Sequence, residues 1–260
     1  MRNDVASEPV RVEVLEGGAV RRVVLAAPKG NVIDLAMSAA LARAFAHVAD
    51  EKEVRAVLLE GEGAHFSFGA SVPEHLPPTT ASLLHGFHGL IQTMLRTPVV
   101  WLAAVRGRCL GGGLELASAC HRIFAEPGAQ LGQPEIALGV FAPAASVLLH
   151  ERIGPRHAAD LCLTGRLVGG AEALAMGVVD ELATDPSAAA LAWARTHLLP
   201  RSASSLRYAV RALREGRAEA TCARIDAVER LYLDGIASTK DADEGLRAFL
   251  EKRSPRWSHA

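Results

Sequence analysis

The residues from Pro98 to Cys120 read PVVWLAAVRGRCLGGGLELASAC, and the fold class can be inferred from this segment. PVVWLAAV (98–105) is a short, continuous apolar run that is typical of a buried β-strand. The segment 107–113 is rich in glycine and predicts a turn or loop. Residues 114–120 then place apolar side chains at helical spacing. The stretch therefore predicts a strand, a glycine-rich loop and a helix in succession.

The same succession recurs on both sides of this stretch. Upstream, VRAVLL (54–59) predicts a buried strand, 61–70 a glycine-rich loop and 80–95 a helix. Downstream, RIFA (122–125) again has the pattern of a strand. Strands that alternate with helices indicate an α/β domain with crossover connections.

The N-terminal part predicts a hairpin followed by a helix. VRVEV (10–14) and VRRVVLA (20–26) are β-branched runs separated by Glu16-Gly17-Gly18, which is a hairpin signal. Asp34 is then placed to cap a helix that runs to about Asp50.

The pattern becomes helical from about residue 141, with helices expected at 143–152 and 156–161. Residues 202–252 contain no convincing strand. Pro200 is therefore the predicted boundary between the two parts of the chain, an α/β core (residues 1–200) and a C-terminal helical region (residues 201–260).

Composition excludes several classes of protein. The 260 residues carry 28 Lys and Arg against 29 Asp and Glu, so the formal net charge is −1. This balance argues against an electrostatic grip on nucleic acid or on an acidic membrane surface. No apolar run approaches the roughly 20 residues of a spanning helix, and no secretory signal is visible. The four cysteines form no C-x-x-C pair, so we expect a cytoplasmic protein without a disulfide framework or a metal site; they are Cys109, Cys120, Cys162 and Cys222.

Two glutamates stand in apolar surroundings. Glu115 lies at the start of the helix that follows Gly111-Gly112-Gly113, and Glu135 lies in LGQPEIAL (131–138). Burial raises the pKa of a carboxyl group toward the range used in proton transfer, and two such groups facing one cavity can divide acid and base roles. The alternative is that Glu115 only favours a helix N-terminus and that Glu135 is a solvated loop residue.

The three glycines before Glu115 favour the catalytic interpretation. Consecutive glycines disfavour a helix interior and predict a turn, where backbone N–H groups stay unpaired and accessible to an anion. A second loop, HFSFGAS (65–71), can supply another free N–H. Two ordinary tight turns would explain the same residues.

Taken together, these segments resemble the crotonase (enoyl-CoA hydratase/isomerase) superfamily over nearly the whole chain. The matching segments, in order, are HFSFGAS (65–71), AAVRGRCLGGGLELASAC (103–120), AQLGQPEIALGV (129–140) and DEGLRAFLEKRSPRW (243–257). The resemblance implies an α/β spiral of ββα repeats with a C-terminal helical trimerisation region. It also implies a homotrimer or a dimer of trimers, an acyl-CoA substrate that brings its own coenzyme A, and no separate cofactor.

The resemblance assigns roles to particular residues. Ala70 and Gly112 stand at the family's oxyanion-hole positions, where two N–H groups polarise the thioester carbonyl. Both catalytic glutamate positions of the hydratases are occupied, so Glu115 is expected to activate water and Glu135 to exchange the proton at carbon. Isomerases on this fold often lack one of these glutamates, and a linear-chain hydratase or an isomerase is kept as an alternative.

One departure from the family pattern bears on the substrate. Many hydratases continue from GQPE into a Pro-Gly-Ala-Gly-Gly stretch, whereas this chain has VFAPAAS (140–146). HFSFGASVPEHLP (65–77) is most similar to the family's hydratases of a cyclohexadiene carboxylate thioester, with Ser71 where common hydratases have Asp. An alicyclic acyl group is therefore expected.

The coenzyme A contacts follow from the same resemblance. Lys29 precedes the first helix, where relatives contact the nucleotide, and Lys252, with Arg253 beside it, resembles C-terminal residues that approach phosphate. An ordinary basic helix end would explain Lys252 equally well. The loop residues expected at the substrate are Ser67, Phe68 and Gly69.

Three alternatives belong to other classes. Gly107-Arg108-Cys109 lies between a strand and a helix, which is the context of a nucleophile elbow and would make Cys109 the nucleophile of a cysteine hydrolase. His85 and His88 share a helix face, which is a weak indication of a metal site. A non-catalytic RNA- or protein-binding protein of the same fold would need no paired glutamates, and the balanced charge gives RNA little attraction.

Overall fold

The first two strands form the predicted hairpin. In the computed structural model, which describes residues 8–260, β1 (Val10–Leu15) pairs antiparallel with β2 (Val20–Leu25) through a turn at Glu16–Gly18. Helix α1 (Leu35–Ala46) follows, and the Asp34 side chain accepts a hydrogen bond from the backbone N–H of Met37 at 2.7 Å. Both the hairpin and the Asp34 cap are confirmed.

A six-stranded sheet runs through the middle of the fold. Its remaining strands are β3 (Ala56–Gly61), β4 (Val100–Val105), β6 (Arg122–Ala125) and β9 (Glu181–Leu182). The spatial order is β1-β2-β3-β4-β6-β9, and every pairing after the hairpin is parallel.

The sequence of strand β4 is continuously apolar because both faces of the strand are buried. Trp101, Ala103 and Val105 enter the larger hydrophobic core, and the alternate residues of the strand enter a second core. Helix α6 (Pro186–His197) covers that second core with Ala190 and Ala194. A parallel strand that is buried on both faces needs apolar side chains at every position.

A second sheet, of three strands, supplies the second β-strand of the ββα repeats. It contains β5 (Arg108–Leu110), β7 (Gln130–Gly132) and β8 (Leu167–Gly169), in the order β5-β7-β8. The chain passes from the large sheet to the small sheet and then to a helix twice in succession, through β4-β5-α3 and β6-β7-α4. The α/β spiral of ββα repeats is thus confirmed. The expectation that 107–113 is entirely loop is wrong, because β5 lies inside it.

Besides α1, the described residues form four helices between the strands: α2 (Thr80–Arg96), α3 (Gly112–Ser118), α4 (Pro143–Thr164) and α5 (Gly170–Met176). Helix α4 spans both of the helices expected at 143–152 and 156–161. The two halves meet at Gly154, whose backbone is non-helical (φ 76°, ψ 167°), directly before Pro155. A residue with a side chain rarely adopts this φ, so glycine permits the kink.

The C-terminal region consists of α7 (Ala203–Arg214), α8 (Arg217–Asp234) and α9 (Lys240–Leu250). Ile225 of α8 joins the larger core, and Tyr232 packs with Leu246 of α9 and Val140 in a third cluster. The division at residue 200 and the trimerisation role of this region stay predictions. Within residues 8–260, none of the helices is both long and apolar enough to cross a membrane.

Candidate active site

Two backbone amides meet where the glycine-rich loops approach each other. Ile33 pairs with the loop on both sides of Ala70, donating to Gly69 O and accepting from Ser71 N, each at 2.9 Å. Within residues 8–260, neither the Ala70 N–H nor the Gly112 N–H has a hydrogen-bond acceptor. A Cβ added to Gly112 would lie 3.2 Å from Ala70 N, so glycine keeps the space beside that amide open.

Glu135 lies beside these amides. It belongs to the 3₁₀ turn Pro134–Leu138, which follows β7, and it lines the main cavity. Gly111 has a positive φ of 48°, and a Cβ there would overlap Glu135 Oε1. Glu135 Oε2 is buried and has no hydrogen-bond partner in the described part of the chain. Burial, together with the charge of Glu115, raises the pKa of Glu135 to about 8.

Glu115 lies on α3 and is only 4% exposed. Its Oε1 accepts a hydrogen bond of 2.7 Å from the N–H of Ala145 in the first turn of α4. Burial raises the pKa of Glu115, and the nearby His88 and the amides of Ala145 and Ala144 offset this rise only in part. The segment that departs from the family pattern, VFAPAAS, therefore supplies the amide that holds Glu115.

The main cavity has a volume of about 460 Å³ and two chemically different ends. Ala70, Gly111 and Glu135 line its polar end. The remaining wall is largely apolar and is built by residues remote in sequence, including Val72, Leu138, Val140, Leu246 and Phe249. An adjoining cavity of about 300 Å³ shares three lining residues with the first, His75, Val140 and Leu246.

The residues expected to contact coenzyme A do not all line the same cavity. Phe68 and Gly69 line the main cavity, and the Arg108 guanidinium lies 5.7 Å from the centre of the Phe68 ring. Lys29 lines a separate depression, and Lys252 is exposed just beyond α9. Arg108, the first residue of β5, also lines the cavity. The sequence analysis missed it, because a lone arginine in a segment predicted as a loop carries no signal of a ligand.

The structure contradicts the prediction that the Ser67 side chain contacts substrate. Ser67 is fully buried, and its hydroxyl donates to Asn31 O at 2.7 Å and accepts from Gly69 N at 3.0 Å. Ser67 therefore holds the loop that presents Gly69 and Ala70.

The histidine pair on α2 has a partner that the sequence did not reveal. His88 Nδ1 lies 2.6 Å from Glu229 Oε2, and His85 Nδ1 lies 3.5 Å from Glu229 Oε1. These contacts join α2 to α8. Among residues 8–260, no group of three or more His, Cys, Asp or Glu side chains is arranged to hold a metal ion.

The structure contradicts the cysteine-hydrolase alternative. Cys109 is fully buried in β5, and burial raises the pKa of its thiol, so the reactive thiolate is not accessible. Cys109 packs in the larger core as a small apolar residue.

Comparison with known proteins decides the family. The sequence model of the enoyl-CoA hydratase/isomerase family matches residues 16–260. The chain belongs to the enoyl-CoA hydratase/isomerase family. It is 51% identical over 254 residues to the cyclohexa-1,5-dienecarbonyl-CoA hydratase of Thauera aromatica, with 98% of each chain covered.

Other members of this family are more distant. The carnitinyl-CoA dehydratase of Proteus mirabilis is 31% identical, with 92% of this chain and 95% of that protein covered. The crystal structure of an enoyl-CoA hydratase from Bacillus halodurans superposes with a TM-score of 0.85 at 19% identity, covering 92% of this chain and 99% of that one. The crystal structure supports the shared fold, and the family match makes this chain an enzyme of the enoyl-CoA hydratase type.

Proposed function

We propose that this enzyme adds water to cyclohexa-1,5-diene-1-carbonyl-CoA, a conjugated thioester with a six-membered acyl ring. The relative from Thauera aromatica, 51% identical over almost the full length, supports this substrate. The largely apolar wall of the main cavity suits an alicyclic ring better than a charged or strongly polar acyl group.

The observation that carries the proposal is that the Glu135 carboxyl group lines the cavity beside the free amides of Ala70 and Gly112, and that the buried Glu115 carboxyl group is near enough to raise its pKa. The two N–H groups donate to the thioester oxygen and stabilise the negative charge that develops there when water attacks the conjugated system. Glu115 accepts a proton from the attacking water. Glu135, whose pKa is raised to about 8, gives a proton to carbon. The reaction consumes one water and needs proton transfer only, so the enzyme requires no separate cofactor.

The remaining expectations belong to the same proposal. Phe68, the Gly69 backbone, Lys29 and Lys252 contact the thioester or the coenzyme A moiety, with Arg108 added as a cation on the cavity wall. The enzyme acts in the cytoplasm as a homotrimer or a dimer of trimers.

A substrate panel tests the assignment. The purified enzyme is assayed with the cyclic dienoyl-CoA and with crotonyl-CoA, following the loss of absorbance from the conjugated thioester. We expect kcat/KM to be higher for the cyclic substrate. Faster turnover of crotonyl-CoA would assign the enzyme to the linear-chain hydratases instead.

Charge-neutral substitutions test the two glutamates. Glu115→Gln and Glu135→Gln are each expected to lower kcat by about 10²-fold or more, since each removes one proton-transfer group. Binding of CoA thioesters is expected to persist. Glu53→Gln, an exposed carboxylate before β3, is the matched control and should retain the full rate. Normal turnover by either site variant would contradict the proposed roles.

A further inference from the structure

The apolar part of the main cavity and the adjoining cavity together form what we call the acyl end, and two polar side chains there have no part in the proposed proton transfers. His75 ends the 3₁₀ turn Pro73–His75 and lines the main cavity. Tyr232 lies on α8 and lines the adjoining cavity, which His75 also lines. The centres of the two rings are 6.3 Å apart. The other two residues that line both cavities, Val140 and Leu246, are apolar. The far wall of the adjoining cavity also contains polar residues, namely Ser238, Thr239, Lys240 and Asp243.

His75 presents a hydrogen-bond acceptor. Its Nδ1 lies 2.8 Å from Ser71 O, and a carbonyl oxygen only accepts, so Nδ1 carries the proton. Burial lowers the pKa of His75, and the ring is therefore neutral at pH 7. In this neutral tautomer, Nε2 keeps its lone pair.

Tyr232 presents a hydrogen-bond donor. The residue is 1% exposed, and its hydroxyl oxygen is buried without a hydrogen-bond partner in residues 8–260. Phe141 fixes the phenol ring from one side, with ring centres 5.3 Å apart. Burial and the nearby carboxyl groups of Glu135 and Glu115 raise the pKa of Tyr232, so the hydroxyl keeps its proton. A buried hydroxyl without a partner is costly, and a ligand oxygen that accepts its hydrogen bond removes that cost.

We propose that Tyr232 and His75 form a binding site for the oxygen atom that is added to the acyl ring. Tyr232 donates to this oxygen, and His75 Nε2 accepts its hydrogen. An alcohol both accepts and donates hydrogen bonds, so one donor and one acceptor on the protein engage both of these functions. The inference rests on the proposed function and adds that the pocket recognises the hydroxylated product.

The experiment compares two ring thioesters that differ by one hydroxyl group. The ligands are the hydroxylated product and cyclohex-1-ene-1-carbonyl-CoA, which lacks the hydroxyl. Titration calorimetry gives both dissociation constants, and all variants carry Glu115→Gln so that the product is not turned over. Tyr232→Phe removes only the hydroxyl. Tyr208→Phe makes the same change at a site on α7 that is 68% exposed, and it is the matched control.

We expect Tyr232→Phe to weaken binding of the hydroxylated thioester by about threefold to tenfold, as for loss of one neutral hydrogen bond, and to leave the other thioester within about twofold. His75→Leu should change the ratio of the two dissociation constants in the same direction. Tyr208→Phe should change neither dissociation constant. Equal weakening of both thioesters by Tyr232→Phe would indicate a purely structural role and overturn the inference.

An unchanged ratio in an enzyme that hydrates the cyclic substrate would overturn the inference and leave the proposed function intact. If the enzyme that carries only Glu115→Gln bound neither ring thioester, both the inference and the proposed substrate would be wrong.

Discussion

Gly111 is the residue that permits Glu135 to reach the free amides. Its positive φ, 48°, turns the chain into α3, and its missing side chain leaves room for Glu135 Oε1. The sequence predicted an exposed turn at the three glycines. It could not show that one of them is in contact with a carboxylate 24 positions later, because that contact depends on the pairing of β5 with β7.

Gly111→Ala tests this contact. The added methyl group would overlap Glu135 Oε1. The backbone of Gly111 (φ 48°, ψ −124°) lies outside the left-handed helical region, and a non-glycine residue in such a sparsely populated conformation costs on the order of 1–3 kcal/mol. We expect kcat to fall by at least about tenfold and the free energy of unfolding to fall by about that strain energy, measured by steady-state kinetics and urea denaturation. Gly128→Ala is the control, since a Cβ there meets nothing within 4 Å. A normal rate in Gly111→Ala would show that the carboxylate position is not critical.

The raised pKa of Glu135 predicts the alkaline limit of hydration. The proton donor must be protonated, and its pKa is about 8, so kcat for hydration should decline as pH rises through that value. At the acid end of the profile, kcat should fall as the base Glu115, whose pKa is also raised, becomes protonated. The pH–rate profile of the Glu135→Gln variant should lack the alkaline decline, because Gln does not titrate. A profile of the unsubstituted enzyme that stays flat to pH 9.5 would contradict the assignment of Glu135 as the acid.

At the scale of elements, the sequence predicted the long strands and helices and missed the small sheet. Strands β5, β7 and β8 have three residues each, too few for an alternation of apolar and polar residues to be visible. Helix α4 was expected as two helices because Gly154-Pro155 is a strong breaker signal. Both halves of the helix are buried in the larger core, through Leu148 before the kink and Leu161 after it, so the kink interrupts the helix without ending it.

Gly89 in helix α2 occupies a position where the structure does not require glycine. A Cβ at Gly89 meets nothing within 4 Å, and the position is exposed in the helix interior. Gly89→Ala is therefore expected to raise the free energy of unfolding by about 0.5–1 kcal/mol, measured by urea denaturation.

Gly113 in α3 is the opposite case and serves as the comparison. A Cβ at Gly113 would lie 2.7 Å from Ser67 Cβ, so Gly113→Ala should destabilise the protein. Equal effects of alanine at the two positions would argue against the close approach of α3 to the loop at Ser67.

At the scale of the whole molecule, the acyl end of the cavity combines residues from three distant parts of the chain. His75 precedes α2, Val140 precedes α4, and Tyr232 lies near the end of α8. The sequence singled out both glutamates because each stands among apolar residues, and the family resemblance then assigned their catalytic roles. It gave no such signal for Tyr232, whose burial results from packing against Phe141 and α9 and not from its own helix pattern.

The proposed trimer is tested by molecular mass. Large apolar side chains of the C-terminal helical region are exposed, including Leu213 on α7 and Leu231 on α8, which is expected of a surface that another copy covers. Sedimentation equilibrium should give three or six times the chain mass, independent of concentration in the micromolar range. A mass equal to one chain would contradict the assembly.

The donors at the thioester end belong to the main chain, and this fact has an evolutionary consequence. No base change that replaces one amino acid by another can delete the N–H of Ala70 or Gly112, except a change to proline. The acyl end, in contrast, is built from side chains that single mutations exchange freely. A lineage with this architecture can therefore acquire new acyl specificities while thioester activation is inherited unchanged.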